Sequence, residues 1–198
     1  MSRQASMTEH DLDAWFDRRF AEKMQEHEAR RTPSMAIIAT KGTLDMAYPP
    51  FILASTGAAL GWDVPIFCTF YGLSLLKKDL DLKVTPVGNP AMPMKMPEGP
   101  DWLTGKNLKI PNSLMALTPG FQELATSMMR KTFEKKGVAS IEQLREISIE
   151  SGVRMVACQM TVDLFDWKPE DFIPDIDDWV GAASFLPFAQ KADVSLFI

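Results

Sequence analysis

Gly152-Val153-Arg154-Met155-Val156-Ala157-Cys158-Gln159-Met160-Thr161-Val162-Asp163-Leu164-Phe165 is the stretch whose reading decides the fold. Val153 to Ala157 is a compact, largely apolar run, β-branched at Val153 and Val156 and opened by a glycine, so it predicts a short buried strand. Helical spacing takes over at once, with Val162 paired to Phe165 and Met160 paired to Leu164. Cys158 therefore falls at a strand-to-helix junction, where the backbone N–H groups of the next turn point near its sulfur and favour a thiolate. A buried cysteine also packs as a small hydrophobe. The junction favours the reactive reading.

Working back from this stretch, Ser140 with Gln143 forms a capping box for a helix over Ile141 to Ser151, with Ile141, Leu144, Ile147 and Ser148 on one side and Gly152 closing it. Phe121 to Lys136 predicts another helix, carrying Leu124, Met128 and Met129 and ending at Gly137. Working forward, Asp166 to Trp179 is acidic and aromatic and predicts a loop with one helical turn. Gly181 to Ala189 predicts a helix containing Pro187, and Val194 to Ile198 a terminal strand.

The first half repeats the alternation. Ser34 to Thr40 predicts a strand, Lys41-Gly42-Thr43 a turn, and Leu44 to Leu60 a helix bent or delayed by Pro49 and Pro50 and closed by Gly61. Val64 to Thr69 predicts a second strand with Cys68 at its far end, then Phe70-Tyr71-Gly72 and a short helix from Leu73 to Lys78. Lys83 to Val87 reads as an edge strand or fragment because of Pro86. Strands alternating with helices predict an α/β fold: a mostly parallel sheet covered on both faces, with ligands beyond the carboxyl ends of its strands. Cys68 and Cys158 both fall at those ends, and a disulfide is geometrically open to them if their strands are neighbours. The turn at Lys41, Gly42 and Thr43 precedes a helix and offers Lys41 and Thr43 as anion contacts. Neither GxGxxG nor GxxxxGK[ST] occurs there, so nucleotide binding has little support.

Two segments stand apart. Thr8 to Arg30 predicts an amphipathic helix with a capping box at Thr8 and Asp11 and an i,i+4 stripe of Leu12, Phe16, Phe20 and Met24, with Trp15 beside it. This arm, residues 1–33, precedes the first strand and would cover the core or pack on another subunit; its His10 and His27 make a poor metal site. Residues 88–111 hold Pro90, Pro93, Pro97, Pro100 and Pro111 around Met92, Met94 and Met96, and read as a lid or interface insertion. Alternating methionines can bind Cu(I), but they also serve as adaptable packing, so no metal is expected.

Net charge is −5 and the pI about 5.1, which gives no electrostatic reason to expect nucleic acid or an anionic membrane surface. Residues Met1 to Asp17 lack the apolar core of a secretory signal, and Tyr48 to Trp62 is too short for a comfortable membrane span. Two cysteines without export features point to a reducing cytoplasm.

Three blocks, Ile66-Phe67-Cys68-Thr69-Phe70-Tyr71-Gly72-Leu73, Val87-Gly88-Asn89-Pro90 and Ala157-Cys158-Gln159-Met160-Thr161-Val162-Asp163-Leu164, together with the closing Phe185 to Ile198, resemble the long DsrE-like branch of the DsrE/DsrF/DsrH family. The resemblance covers residues 34–198 and leaves the arm outside. It implies a three-layer, flavodoxin-like α/β domain assembling into homo- or hetero-oligomers. It also implies a cysteine, matching Cys158, that carries sulfane sulfur as a persulfide between rhodanese-type donors and TusA-type carriers, with no cofactor. Members of the family belong to sulfur oxidation or thiol modification.

The residues suit that chemistry, since a thiolate must attack a sulfane sulfur and then be attacked itself. Gln159 and Thr161 are placed to donate hydrogen bonds, Lys41 and the Gly42–Thr43 turn to hold a thiosulfate-like substrate, and Phe70 and Tyr71 to wall the pocket, with Thr69, Tyr71 and Gly72 as further substrate-binding candidates. Asp163 has no acid–base partner in view. The competing readings are a two-cysteine thiol–disulfide or peroxide-handling protein using Cys158 and Cys68, lowered by the lack of CxxC, and a non-catalytic scaffold subunit.

Overall fold

The computed structural model describes residues 8–85, 94–95, 107–108, 117 and 119–198. The chain divides into two compact units between Pro33 and Ser34.

The first unit is α1 (Glu9–Arg30). Thr8 caps it through a reciprocal box with Asp11, two ion pairs three residues apart run along it, and none of its residues is buried.

The second unit is built on a five-stranded sheet. Its strands are β1 (Met35–Ala39), β2 (Pro65–Cys68), β5 (Arg154–Cys158), β6 (Asp178–Val180) and β7 (Val194–Phe197), in the order β6-β5-β2-β1-β7. Every neighbouring pair is parallel, with Ile37 opposite Ile66 and Ile66 opposite Met155. Side-chain period two then sorts the sheet into two faces. Ile37, Ala39, Ile66, Cys68, Met155 and Ala157 share one core with Phe51 and Ala54 of α2 (Leu44–Ala59) and Ile141 of α4 (Ile141–Glu150). Ala36, Phe67, Val156 and Cys158 share the other with Phe185 of α6 (Ala182–Lys191). Helices on both faces of a parallel sheet make the three-layer, flavodoxin-like arrangement. The remaining elements are the 3-10 segments Phe70–Leu76 and Pro169–Asp171, α3 (Phe121–Lys135), the six-residue α5 (Gln159–Leu164), and a two-residue antiparallel pair of β3 (Met94–Lys95) with β4 (Asn107–Leu108). The rest of the Pro/Met-rich insertion lies outside the described residues.

Several elements depart from the sequence reading. Asp178–Val180 forms the edge strand β6 where a loop was expected; the Asp177 carboxylate accepts the Met155 N–H, 2.7 Å away, and its own N–H donates to the Met155 carbonyl. Lys83 to Thr85 form no strand. The Lys83 carbonyl instead accepts the first α2 amide, Leu44 N–H, and Thr85 N–H donates to Asp45. Pro49 and Pro50 lie inside α2, which starts directly after Thr43. The inner side of α4 carries Arg145 and Ser148, while Ile147 is exposed; Arg145 donates to the carbonyls of Leu75 and Lys77, which satisfies its charge inside the fold. Leu124 of α3 is likewise exposed.

Candidate functional site

Cys158 is the last residue of β5 and the N-cap of α5, so its sulfur leaves the sheet where the chain turns into helix. Only 1% of the residue is exposed. Burial alone pushes its thiol up, but hydrogen bonds from the Thr161 and Thr69 hydroxyls and from the Thr161 and Met160 amides outweigh it and hold the thiol below its ordinary value. A six-residue helix contributes little macrodipole. The lowering therefore rests on individual donors.

Thr161 is the centre of that arrangement. It is fully buried, and its Oγ1 lies 3.2 Å from Thr69 Oγ1 and accepts the Phe70 N–H over 3.1 Å. With the Phe70 amide on a lone pair, the single Thr161 hydroxyl proton is shared between two acceptors, the sulfur and Thr69 Oγ1. The turn that supplies Thr69 is tightly fixed. Thr69 N–H donates to the Ala39 carbonyl, Gly72 N–H closes back on the Thr69 carbonyl, and Phe70 takes a left-handed φ of 48°. At Gly72 a Cβ would overlap the Ala39 carbonyl, so only glycine lets this turn lie on β1.

Cys68 is a different kind of thiol. It ends β2 directly opposite Ala157, fully buried in the core beneath α2, and desolvation pushes it up to about 12. The strands of the two cysteines are neighbours, as a disulfide would need, but their side chains leave opposite faces of the sheet. Side chains pointing apart cannot be bridged without moving the backbone. Both cysteines are free.

The other expected site residues separate into two groups. Thr69 and Thr161 meet at the sulfur. Lys41, Gly42, Thr43 and Tyr71 line a separate cavity of about 270 Å³ with Ser74 and Trp167, and Cys158 is not among its lining residues. The two groups share the 69–72 turn, whose Tyr71 ring stands 5.8 Å from Phe165. Gln159 does not join the sulfur donors; its side-chain amide donates to Asp163 Oδ1 at 2.8 Å along its own helix. The anion contact expected at α2 meets a competing arrangement, since the Leu44 amide is taken by Lys83 and Asp45 places a carboxylate in the first turn. Ser74 and Trp167 gave no signal in sequence, because they reach the cavity from a 3-10 segment and a loop without periodicity. The amide of Met160 was legible as the first turn of a helix starting at Gln159. Exposed Phe70, Tyr71, Met160 and Leu164 ring the junction with apolar surface. No cluster of three or more metal-ligating side chains occurs among the described residues, and none of their helices is long and apolar enough to cross a membrane.

Comparison with known proteins gives this geometry a context. A family model described as DsrE/DsrF/DrsH-like matches residues 31–197. The chain is 54% identical over 164 residues to the sulfur carrier protein DsrE2 of Allochromatium vinosum, covering 83% of this chain and 97% of the relative. It is also 32% identical over 169 residues to the protein YrkE of Bacillus subtilis, described as uncharacterized, covering 85% of this chain and 98% of that one. In both pairings nearly the whole relative is matched, and the family match begins at the end of α1, leaving almost all of the arm outside it. With its parallel sheet, its 69–72 turn and its junction cysteine inside the matched region, the chain belongs to the DsrE/DsrF/DrsH-like family.

Proposed function

We propose that this protein is a sulfur carrier that holds sulfane sulfur as a persulfide on Cys158 and passes it to a partner protein in sulfur oxidation or thiol modification. The observation that carries the reading is the convergence of two hydroxyls and two amides on one junction sulfur, holding its thiol below the ordinary value. A relative named for sulfur carriage, matched over nearly its whole length, supports it.

In the loading step the Cys158 thiolate attacks the outer sulfur of a donor persulfide. A new S–S bond forms, the donor's S–S bond breaks, and the donor leaves as a thiolate with the electron pair. Thiosulfate would load the same sulfur and leave as sulfite. In the unloading step an acceptor thiolate attacks the outer sulfur of Cys158, which returns to the thiolate. No net oxidation occurs across the cycle and no acid–base residue is needed, since Thr69, Thr161 and the two amides stabilise Cys158 both as nucleophile and as leaving group. Rhodanese-type donors and TusA-type acceptors fit this chemistry, as does assembly into homo-oligomers. The two-thiol redox alternative is disfavoured by the opposed faces of Cys68 and Cys158.

Incubation with a sulfane-sulfur donor followed by intact-mass measurement tests the proposal. The expected result is a gain of about 32 Da per sulfur, reversed by a reductant, absent in Cys158→Ser and retained in Cys68→Ala. No adduct on the wild-type chain, or an adduct that survives Cys158→Ser, would overturn it.

A further inference from the structure

The arm presents an apolar stripe that its own unit leaves bare. Leu12, Trp15, Phe16, Phe20 and Met24 are between 45% and 59% exposed, and Phe16 stacks on Phe20 with centroids 6.0 Å apart. A lone helix of this length is marginal in water, and half-exposed aromatic rings add nothing to its stability until something covers them.

The charges along the stripe say what covers it. At 3.6 residues per turn, Glu9 and Asp13 lie on the stripe's side in the first half of α1, while Arg19, Lys23 and His27 lie on that side in the second half. Two copies laid antiparallel, with the symmetry axis midway between Phe16 and Phe20, set Glu9 against His27 and Asp13 against Lys23. The same register sets Leu12 against Met24 and Phe16 against Phe20. A parallel pairing would instead set each of these charges against its own copy. The existing Arg19–Glu22 and Lys23–Glu26 pairs are exposed and within one helix, so they exchange readily. The stripe holds roughly 500 Å² per copy, so pairing buries roughly 1,000 Å², the low end for a specific interface.

We infer that α1 is a self-association element, pairing antiparallel with α1 of a second copy of this chain. This pairing lies outside the family-matched region and is independent of sulfur chemistry at Cys158.

Sedimentation velocity of the full-length chain over a range of concentrations and salt tests it. Wild type is expected to associate at least about fivefold more tightly than Phe16→Glu/Phe20→Glu, whether α1 makes the association alone or adds to contacts of the other unit. Asp13→Lys and Lys23→Asp are each expected to weaken the association at least about fivefold, and the two in one chain to restore it to within about twofold of wild type. Bifunctional thiol cross-linking of mixed Asp13→Cys and Lys23→Cys chains should join unlike chains in preference to like ones at these positions. Equal dissociation constants for wild type and the Phe16/Phe20 variant would overturn the inference. So would single reversals without effect, a combined reversal no better than either single one, preferential joining of like chains, or flotation of α1 with anionic vesicles while the mass stays unchanged.

Discussion

Thr161 does more for the site than any residue except the cysteine, because one hydroxyl group connects the sulfur, Thr69 and the Phe70 amide. Thr161→Val keeps the shape and removes the hydroxyl. It should move the pH profile of Cys158 alkylation upward and cost roughly 1–3 kcal/mol of stability, since the Phe70 N–H loses its acceptor; thiol labelling against pH and denaturant unfolding check the two effects. The two thiols also pull stability in opposite directions at high pH. Cys158 ionises more readily folded than unfolded, so its contribution grows as pH rises toward the ordinary value of 9.0 and is full above it. Cys68 resists ionisation up to about 12, so its contribution is full below 9.0 and is lost as pH climbs between them. Cys68→Ala should therefore flatten the alkaline fall in stability between those values, by up to roughly 1.4 kcal/mol per pH unit, as read from unfolding midpoints. The junction cysteine and Thr161 were legible from local order alone, a strand running into a helix. The burial of Cys68 in the core beneath α2 was not, because it depends on which face of the sheet a residue takes once strands pair.

At the scale of elements, the 69–72 turn positions Thr69 by lying directly on β1, and Gly72 makes that approach feasible. Gly72→Ala should destabilise the fold by about 2 kcal/mol or more, because the added carbon must displace the Ala39 carbonyl, and it should slow Cys158 loading even in molecules that remain folded. Thermal unfolding and loading rates at a permissive temperature separate the two. Capping boxes at Thr8 and Ser140, glycine stops at Gly61, Gly137 and Gly152, and the strands β1, β2, β5 and β7 were readable because caps and short apolar runs are local signals. Asp178–Val180 was not. Its three residues pair at the sheet edge through Asp177 and Met155, a long-range partnership that leaves no periodicity. Lys83 misled for the converse reason, its apolar neighbours suggesting a strand while its carbonyl closes the start of α2.

For the whole molecule, a parallel sheet gathers the strand ends at one edge, and the apolar rim of Phe70, Tyr71, Met160 and Leu164 gives a partner a surface to rest on beside a nearly enclosed sulfur. Leu164→Gln should therefore slow transfer to a protein acceptor several-fold while leaving loading from a small-molecule donor close to wild type, as followed by single-turnover transfer of labelled sulfur. The direct measurement is competitive alkylation of the folded protein across pH, with each cysteine quantified by peptide mapping. A sulfur carrier working through Cys158 requires that Cys158 be labelled with a midpoint below 9.0 while Cys68 stays protected until the chain unfolds. Cys158 as inert as Cys68 in the folded state, or labelled with a midpoint above that value, would contradict it.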